Sequence, residues 1–204
     1  MTKPSPTRPG KRPATPGLAP ANEQIRAHYQ HYLCDQQDLA GATTRNYCSD
    51  VAQFLWWSEI RWGKFESAPP RIFNLDQITT ASLTRYRTYL QSDLQLRPAT
   101  INRYLTSLKR FFVWAVQTGL VSYDPAQVVK MIPEEAAAPR HLTNQEEDAL
   151  IAAVTVKGSV RDRVIITLLL HTGLRAGELV HLRRDQVQVQ TRSGRLQVWG
   201  KRNK

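Results

Sequence analysis

Pro98-Ala-Thr-Ile-Asn-Arg-Tyr-Leu-Thr-Ser-Leu-Lys-Arg-Phe-Phe-Val-Trp-Ala-Val-Gln-Thr-Gly119 carries the clearest local signal in the chain. Ile101, Leu105, Leu108, Phe111, Phe112 and Ala115 recur at steps of three and four, which lays one apolar stripe along a helix. Pro98 suits the opening turn, where its fixed φ is helical and its missing N–H is no loss. Gly119 suits the position just past the end, where the chain leaves the helix through a left-handed residue. The spacing predicts a helix over about 98–118.

Toward the N-terminus the same period repeats. Ile25, Tyr29, Tyr32 and Leu33 mark one helix, and Tyr47, Val51, Phe54 and Leu55 a second, with Thr43 or Thr44 as candidate cap. Leu83, Tyr86 and Leu90 place a third helix near Thr80–Gln91. Four helices over 21–126 make a compact helical domain. Residues 1–20 hold six of the chain's twelve prolines and Lys3, Arg8, Lys11 and Arg12 without an acid, the composition of a disordered basic leader. Residues 127–139, with Pro133, Glu134-Glu135, three alanines and Pro139, read as a linker.

From residue 140 onward the pattern is mixed. Thr143 with Glu146 three residues on is a capping box opening a helix through about Val154. A second helix is expected over Val160–His171 and a third from Leu174 to about Leu182. The period then drops to two: Val187 and Val189, then Leu196 and Val198, flank a Thr191–Gly194 turn and predict a β-hairpin, with Gly194 supplying the turn. The fold class is therefore mainly α, a helical N-terminal domain followed by helices and one hairpin in 140–204.

Charge narrows the function. The chain of 204 residues has 28 Lys and Arg against 17 Asp and Glu, a net +11 and a pI near 10.1. Residues 183–204 carry seven basic residues against Asp185, and Arg85, Arg87, Arg97, Arg103, Lys109 and Arg110 face only Asp93 within their stretch. Such a balance calls for a polyanion, and nucleic acid fits better than a membrane because no clean amphipathic helix adjoins the basic ends. The longest apolar run, Val164–Leu170, is far short of a membrane span, and the basic start leads into no apolar signal segment. Cys34 and Cys48 cannot build a disulfide framework, so a cytoplasmic location is expected. His28, His31 and Cys34 echo metal-ligand spacing, with Cys48 a tempting fourth, but they spread around a helix and no metal or other cofactor is assigned. Phe54, Trp56 and Trp57 read as core aromatics. All seven tyrosines precede the linker and read as packing residues or occasional phosphate contacts.

His171-Thr-Gly-Leu-Arg175-Ala-Gly-Glu178-Leu179 and Gly200-Lys201-Arg-Asn-Lys204 after the hairpin resemble the first catalytic box and the hairpin lysine motif of the tyrosine recombinase (phage integrase) family. Thr44-Arg-Asn-Tyr47 with Asp50 and Phe54, then Ala99-Thr-Ile-Asn-Arg103 with Leu108, resemble that family's helical SAM-like core-binding domain. The resemblance implies site-specific DNA cleavage and rejoining through a 3′-phosphotyrosine, without metal or ATP, by a clamp of two domains around the duplex.

It assigns Arg175 to the scissile phosphate, where a planar guanidinium at the start of a helix offsets transition-state charge. Glu178, one turn on, would orient that guanidinium, and Lys201 would protonate the leaving 5′ oxygen, with Lys204 the alternative. An Arg-x-x-Glu pair is otherwise a plain surface ion pair, and the terminal lysines otherwise a solvated tail. Thr44, Arg45, Arg97, Arg103, Lys109 and Arg110 are the expected DNA contacts. The family's second box, His-x-x-Arg, and its nucleophilic tyrosine lie beyond the hairpin, so these residues are expected to bind DNA, with possible homo-oligomers on it, without cutting. Fragment, non-catalytic DNA-binding regulator and helical protein-interaction adaptor remain the alternatives.

Overall fold

The stripe from Ile101 to Ala115 is the floor of the first core. In the computed structural model, which describes residues 17–63 except 36, 38 and 40, residues 74–134, and residues 140–198 except 192, the chain divides into two compact units, Met1–Ala136 and Ala137–Lys204.

Among the described residues the first unit has four α-helices: α1 (Pro20–Asp35), α2 (Gly41–Gly63), α3 (Thr80–Thr88) and α4 (Pro98–Gln117). Phe111 and Phe112 of α4 are fully buried with Tyr29 of α1, Phe54 of α2 and Tyr86 of α3. Their rings meet edge to face, Phe111 on Tyr29 at 5.2 Å, Phe112 on Phe54 at 6.0 Å and Phe54 on Tyr86 at 5.2 Å. That geometry sets ring edges against ring faces and favours one arrangement of the helices over a loose apolar collapse. Trp57 joins the same core and Trp56 is half-buried.

In the first unit, element boundaries differ from the sequence expectation at three places. The expected leader over 1–20 lies outside the described residues up to 16, and Leu18 already packs on the core with α1 beginning at Pro20. α2 starts at Gly41, so Thr43 and Thr44 lie inside its first turns and neither caps it. α3 opens on a Thr79 cap that accepts from Ser82 N at 3.3 Å, then gives way at Tyr89–Asp93 to a π-helical turn. The wide turn keeps Leu90 in the core while Tyr89 lies 5.9 Å from the Trp57 ring. Gln95, at φ +49°, then turns the chain toward Pro98. α4 matches its expected limits, with Gly119 left-handed at φ +72°.

The second unit comprises α5 (Asn144–Lys157), α6 (Val160–Thr172), α7 (Ala176–Val180) and the antiparallel pair β1 (Val187–Val189) and β2 (Gly194–Leu196). Gly194 is a strand residue opposite Val189 rather than part of the turn, and Val198 lies past the end of β2. α7 is shorter than expected. α5, α6 and α7 hold no fully buried residue among those described, and their starts are fixed locally instead. Glu146, Asp162 and Glu178 each sit three residues after a cap and accept from its backbone N–H, at 3.0, 2.9 and 2.8 Å. Each carboxylate thereby answers a backbone donor that an isolated helix end leaves open.

These bonds hold all three carboxyl pKa values below the ordinary range: the backbone N–H of Thr143 for Glu146, the Ser159 hydroxyl for Asp162, and the backbone N–H of Arg175 for Glu178. Groups with depressed folded pKa values stabilise above the unfolded value, and that stabilisation is lost as pH falls through the folded one. Acidification below the ordinary carboxylate range should therefore lower amide protection, measured relative to the intrinsic exchange rate at each pH, in the first turns of α5, α6 and α7, with protection equal at neutral and mildly acidic pH. In the first unit, Tyr86 Oη is buried without a hydrogen-bond partner among the described residues. Tyr86→Phe should leave thermal stability unchanged or raise it by about 1 kcal/mol, whereas Phe111→Ala should lower it by about 4 kcal/mol. Calorimetry of the two variants tests both.

Candidate nucleic-acid interface and catalytic box

On a helix of 3.6 residues per turn, positions seven apart fall almost in line. α4 therefore carries two polar rows, Arg103 with Arg110 and Asn102 with Lys109, flanking an exposed face whose middle is Ala99, Thr106 and Val113. Small or short side chains between an edge of two arginines and an edge that bears Lys109 leave room for a backbone of phosphates to lie along the helix.

Each row is anchored differently. Arg103 donates through Nη1 to Asp50 of α2, whose carboxylate is fully buried at 0% exposure while the arginine side chain is 36% exposed. Ser107 Oγ donates to the same carboxylate oxygen at 2.7 Å, and the guanidinium lies 4.7 Å from the Tyr104 ring centre. Burial, the largest single effect, favours deprotonation, but the hydrogen bond and charge of Asp50, with Tyr104, together outweigh it and raise the Arg103 pKa. One turn pair further on, Arg110 lies 5.7 Å over the Tyr47 ring and donates to Gln37 Oε1 at 2.7 Å.

The other row grips the chain that leaves α4. Asn102 Nδ2 donates to the Ile132 carbonyl and its Oδ1 accepts from Ile132 N, both at 2.8 Å. Lys109 Nζ donates to the Gln127 carbonyl at 3.1 Å and Arg87 of α3 to the Lys130 carbonyl at 2.9 Å. The first part of the expected linker is thus held along α3 and α4 by three side chains. Residues 135–139 lie outside the described residues.

The remaining expected contacts divide. Arg45 and Arg97 are exposed, Arg97 with extended backbone immediately before Pro98. Thr44 is 3% exposed, with its hydroxyl buried and unpartnered among the described residues, so the expected phosphate contact there does not suit its position. His31, weighed as a metal ligand, pairs instead with Asp35 at 2.8 Å.

In the second unit Arg175 immediately precedes α7. Its Nη1 donates to Glu178 Oε1 at 2.8 Å and its backbone N to Glu178 Oε2 at 2.8 Å, so one carboxylate holds both ends of the arginine. The Arg175 side chain is 81% exposed and that of Glu178 only 16%. The guanidinium is therefore tethered on one side and open on the other. α7 has five residues, too short to add the helix field the sequence suggested. Lys201 and Lys204 lie outside the described residues.

The two units match two domains of one family, the phage integrase N-terminal SAM-like domain over residues 25–120 and the phage integrase family over residues 140–204. Tyrosine recombinase XerD of Ralstonia nicotianae is 31% identical over 190 residues, 92% of this chain and 57% of its own length. That of Lacticaseibacillus casei is 32% identical over 181 residues, 87% of this chain and 57% of its own length. The chain belongs to the phage integrase family of tyrosine recombinases. A lambda integrase dimer bound to a COC′ core site shares the fold, with a TM-score of 0.62 at 19% identity over 88% of this chain and 45% of that one. The mainly helical fold class is that of these integrases, and the chain spans 57% of the length of the two XerD relatives. Among the described residues no helix is long and apolar enough to cross a membrane.

Integrase resemblance marked Asp50 and Arg103 as separate motif residues; it did not pair them. The available signal was an aspartate inside the apolar run Tyr47, Val51, Phe54, which a helix can bury only with a partner. Asn102 and Ser107 gave no such signal. The pairing changes what alanine at 103 should do. Removing the cation from a buried carboxylate lowers stability by about 3 kcal/mol, so Arg103→Ala should unfold at markedly lower denaturant, whereas Arg45→Ala and Arg97→Ala at exposed positions should shift the midpoint little. Urea titration followed by circular dichroism checks the contrast.

Proposed function

We propose that this chain grips duplex DNA through the exposed face of α4 and supplies the first catalytic box of a site-specific tyrosine recombinase. The observation that carries the reading is the arrangement of Arg103, Lys109 and Arg110 along the edges of one open helix face, in a chain that matches both integrase domains in order. Arg45 and Arg97 extend the same interface as phosphate contacts. Recombinases of like fold have been seen on DNA, among them the lambda integrase dimer on its core site, which supports both the partner and assembly of more than one copy on it.

Chemically, Arg175 meets the non-bridging oxygens of the scissile phosphate. Glu178 holds one edge of its guanidinium, and the open edge is left to share the charge that builds on the pentacoordinate phosphorus. A tyrosine oxygen attacks phosphorus, the bond to the 5′ oxygen breaks, and Lys201 gives that oxygen its proton. The resemblance places this tyrosine and the His-x-x-Arg box beyond the hairpin, in sequence that these residues do not include. A polypeptide prepared as residues 1–204, without that tyrosine, should bind DNA without cleaving it.

Anisotropy titration of a mixed-sequence duplex at several salt concentrations tests the binding half. Affinity should fall steeply with salt, and the double change Lys109→Ala, Arg110→Ala should reduce the slope of log affinity against log salt by about 2. A flat salt dependence would refute the interface. A duplex nicked beside the scissile phosphate, incubated with the polypeptide and run on a denaturing gel, should give no protein–DNA adduct; an adduct that depends on Arg175 would place a nucleophile among residues 1–204.

A further inference from the structure

Most of the candidate DNA contacts are cations that a duplex attracts by charge alone. Arg103 differs, because a buried anion stands directly behind it. We infer that Asp50 is a positioning residue, acting through Arg103 to fix the direction in which a guanidinium meets a DNA phosphate; the inference rests on the DNA-binding reading above.

The observations favour orientation over either charge or stability as the purpose of the pair. A carboxylate at 0% exposure brings a negative charge toward the very surface that must meet phosphates, so for simple attraction it is a liability. For stability alone, apolar side chains of similar size would hold α2 to α4 at least as well, since buried ion pairs rarely gain on such replacements. What the pair does achieve is geometric. Asp50 takes one nitrogen of the guanidinium, Tyr104 lies against it at 4.7 Å, and Ser107 Oγ holds the same Asp50 oxygen at 2.7 Å, so the acceptor is itself held. A guanidinium has five N–H donors in a rigid plane. With one edge on Asp50 and the side chain 36% exposed, donors remain for an oxygen on the solvent side, already aimed before DNA arrives. Arg110, by contrast, lies against a ring and donates to a glutamine side chain, and among the described residues it makes no ion pair.

The test turns on sign. Asp50→Asn removes a negative charge from the interface, so charge alone predicts tighter binding to DNA. Positioning predicts the reverse. In the full chain, with a mixed-sequence duplex read by anisotropy well below the melting temperature of each variant, Asp50→Asn should weaken binding about tenfold. The slope against salt should stay unchanged, because the number of cations is the same. In the Arg103→Ala background the Asp50→Asn change should have no further effect on affinity, since the residue it acts through is gone. Equal or tighter binding by folded Asp50→Asn, or an undiminished loss in the Arg103→Ala background, overturns the inference while leaving the DNA-binding reading intact. Absence of salt-dependent binding by the unmodified chain overturns both. If Asp50→Asn does not fold, Arg103→Lys decides: it keeps a cation on Asp50 but loses the planar fork, and it should bind about tenfold more weakly at equal slope, with unmodified affinity counting against the inference.

Discussion

A carboxylate buried at 0% exposure cannot be left to itself, and the first unit is arranged around that constraint. Asp50 lies on the face of α2 that also carries Val51 and Phe54, so it enters the core interface with them. Its charge is answered from α4, by Arg103 and by Ser107 one turn further. Once those contacts are made, the register between the two helices is fixed. Phe112 meets Phe54, Arg110 lies over Tyr47, and neither can slide by a turn without stranding the carboxylate. Apolar packing supplies most of the attraction, yet it tolerates small displacements that a buried hydrogen-bonded charge does not.

The same register decides what the outer face of α4 presents. Because Arg103 and Arg110 are committed to α2 on one edge, Asn102 and Lys109 fall on the other edge, beside the chain leaving toward the second unit. Asn102 treats the backbone of Ile132 as a strand partner would, giving and taking one hydrogen bond. Lys109 and Arg87 answer carbonyls at Gln127 and Lys130. A basic helix face is thus also a structural face. Lys109 has a carbonyl as its partner in the free chain, and a phosphate reaching it must compete with a neutral acceptor, which a charged oxygen does readily.

Legibility from sequence followed the range of the forces involved. α4 could be read nearly to the residue, because its stripe, its proline and its glycine are all signals within one element. The Thr143 to Glu146 box could be read for the same reason. The end of α3 could not: nothing local in Tyr89–Asp93 distinguishes a π-helical turn from another turn of α-helix, and the choice is made by Leu90 entering the core and Tyr89 meeting Trp57. The partner of Asp50 was hidden likewise, since it lies on a helix distant in sequence, and nothing local to Thr44 marked its burial. The strand position of Gly194 was missed because a glycine near a predicted turn is most simply read as the turn itself. Family resemblance located Arg175 and Glu178 as a pair, which spacing alone would have left as an ordinary surface contact.

The two arginines proposed to meet phosphate are held by opposite means. Arg175 is fixed within a single turn, by a carboxylate three residues away that grips both its backbone and its guanidinium, in a unit whose helices bury no residue fully. Its geometry is a property of the segment 175–178 and needs no packed neighbour. Arg103 is fixed by a residue 53 positions away, so its geometry exists only once the helical unit has folded. The difference suits the two tasks proposed for them. A contact that sets where a duplex lies must be registered against the whole unit, because an error there displaces everything bound to it. A catalytic guanidinium must instead keep its own orientation within a site whose other members come from elsewhere in the domain, and a local tether preserves that orientation whatever packs around it.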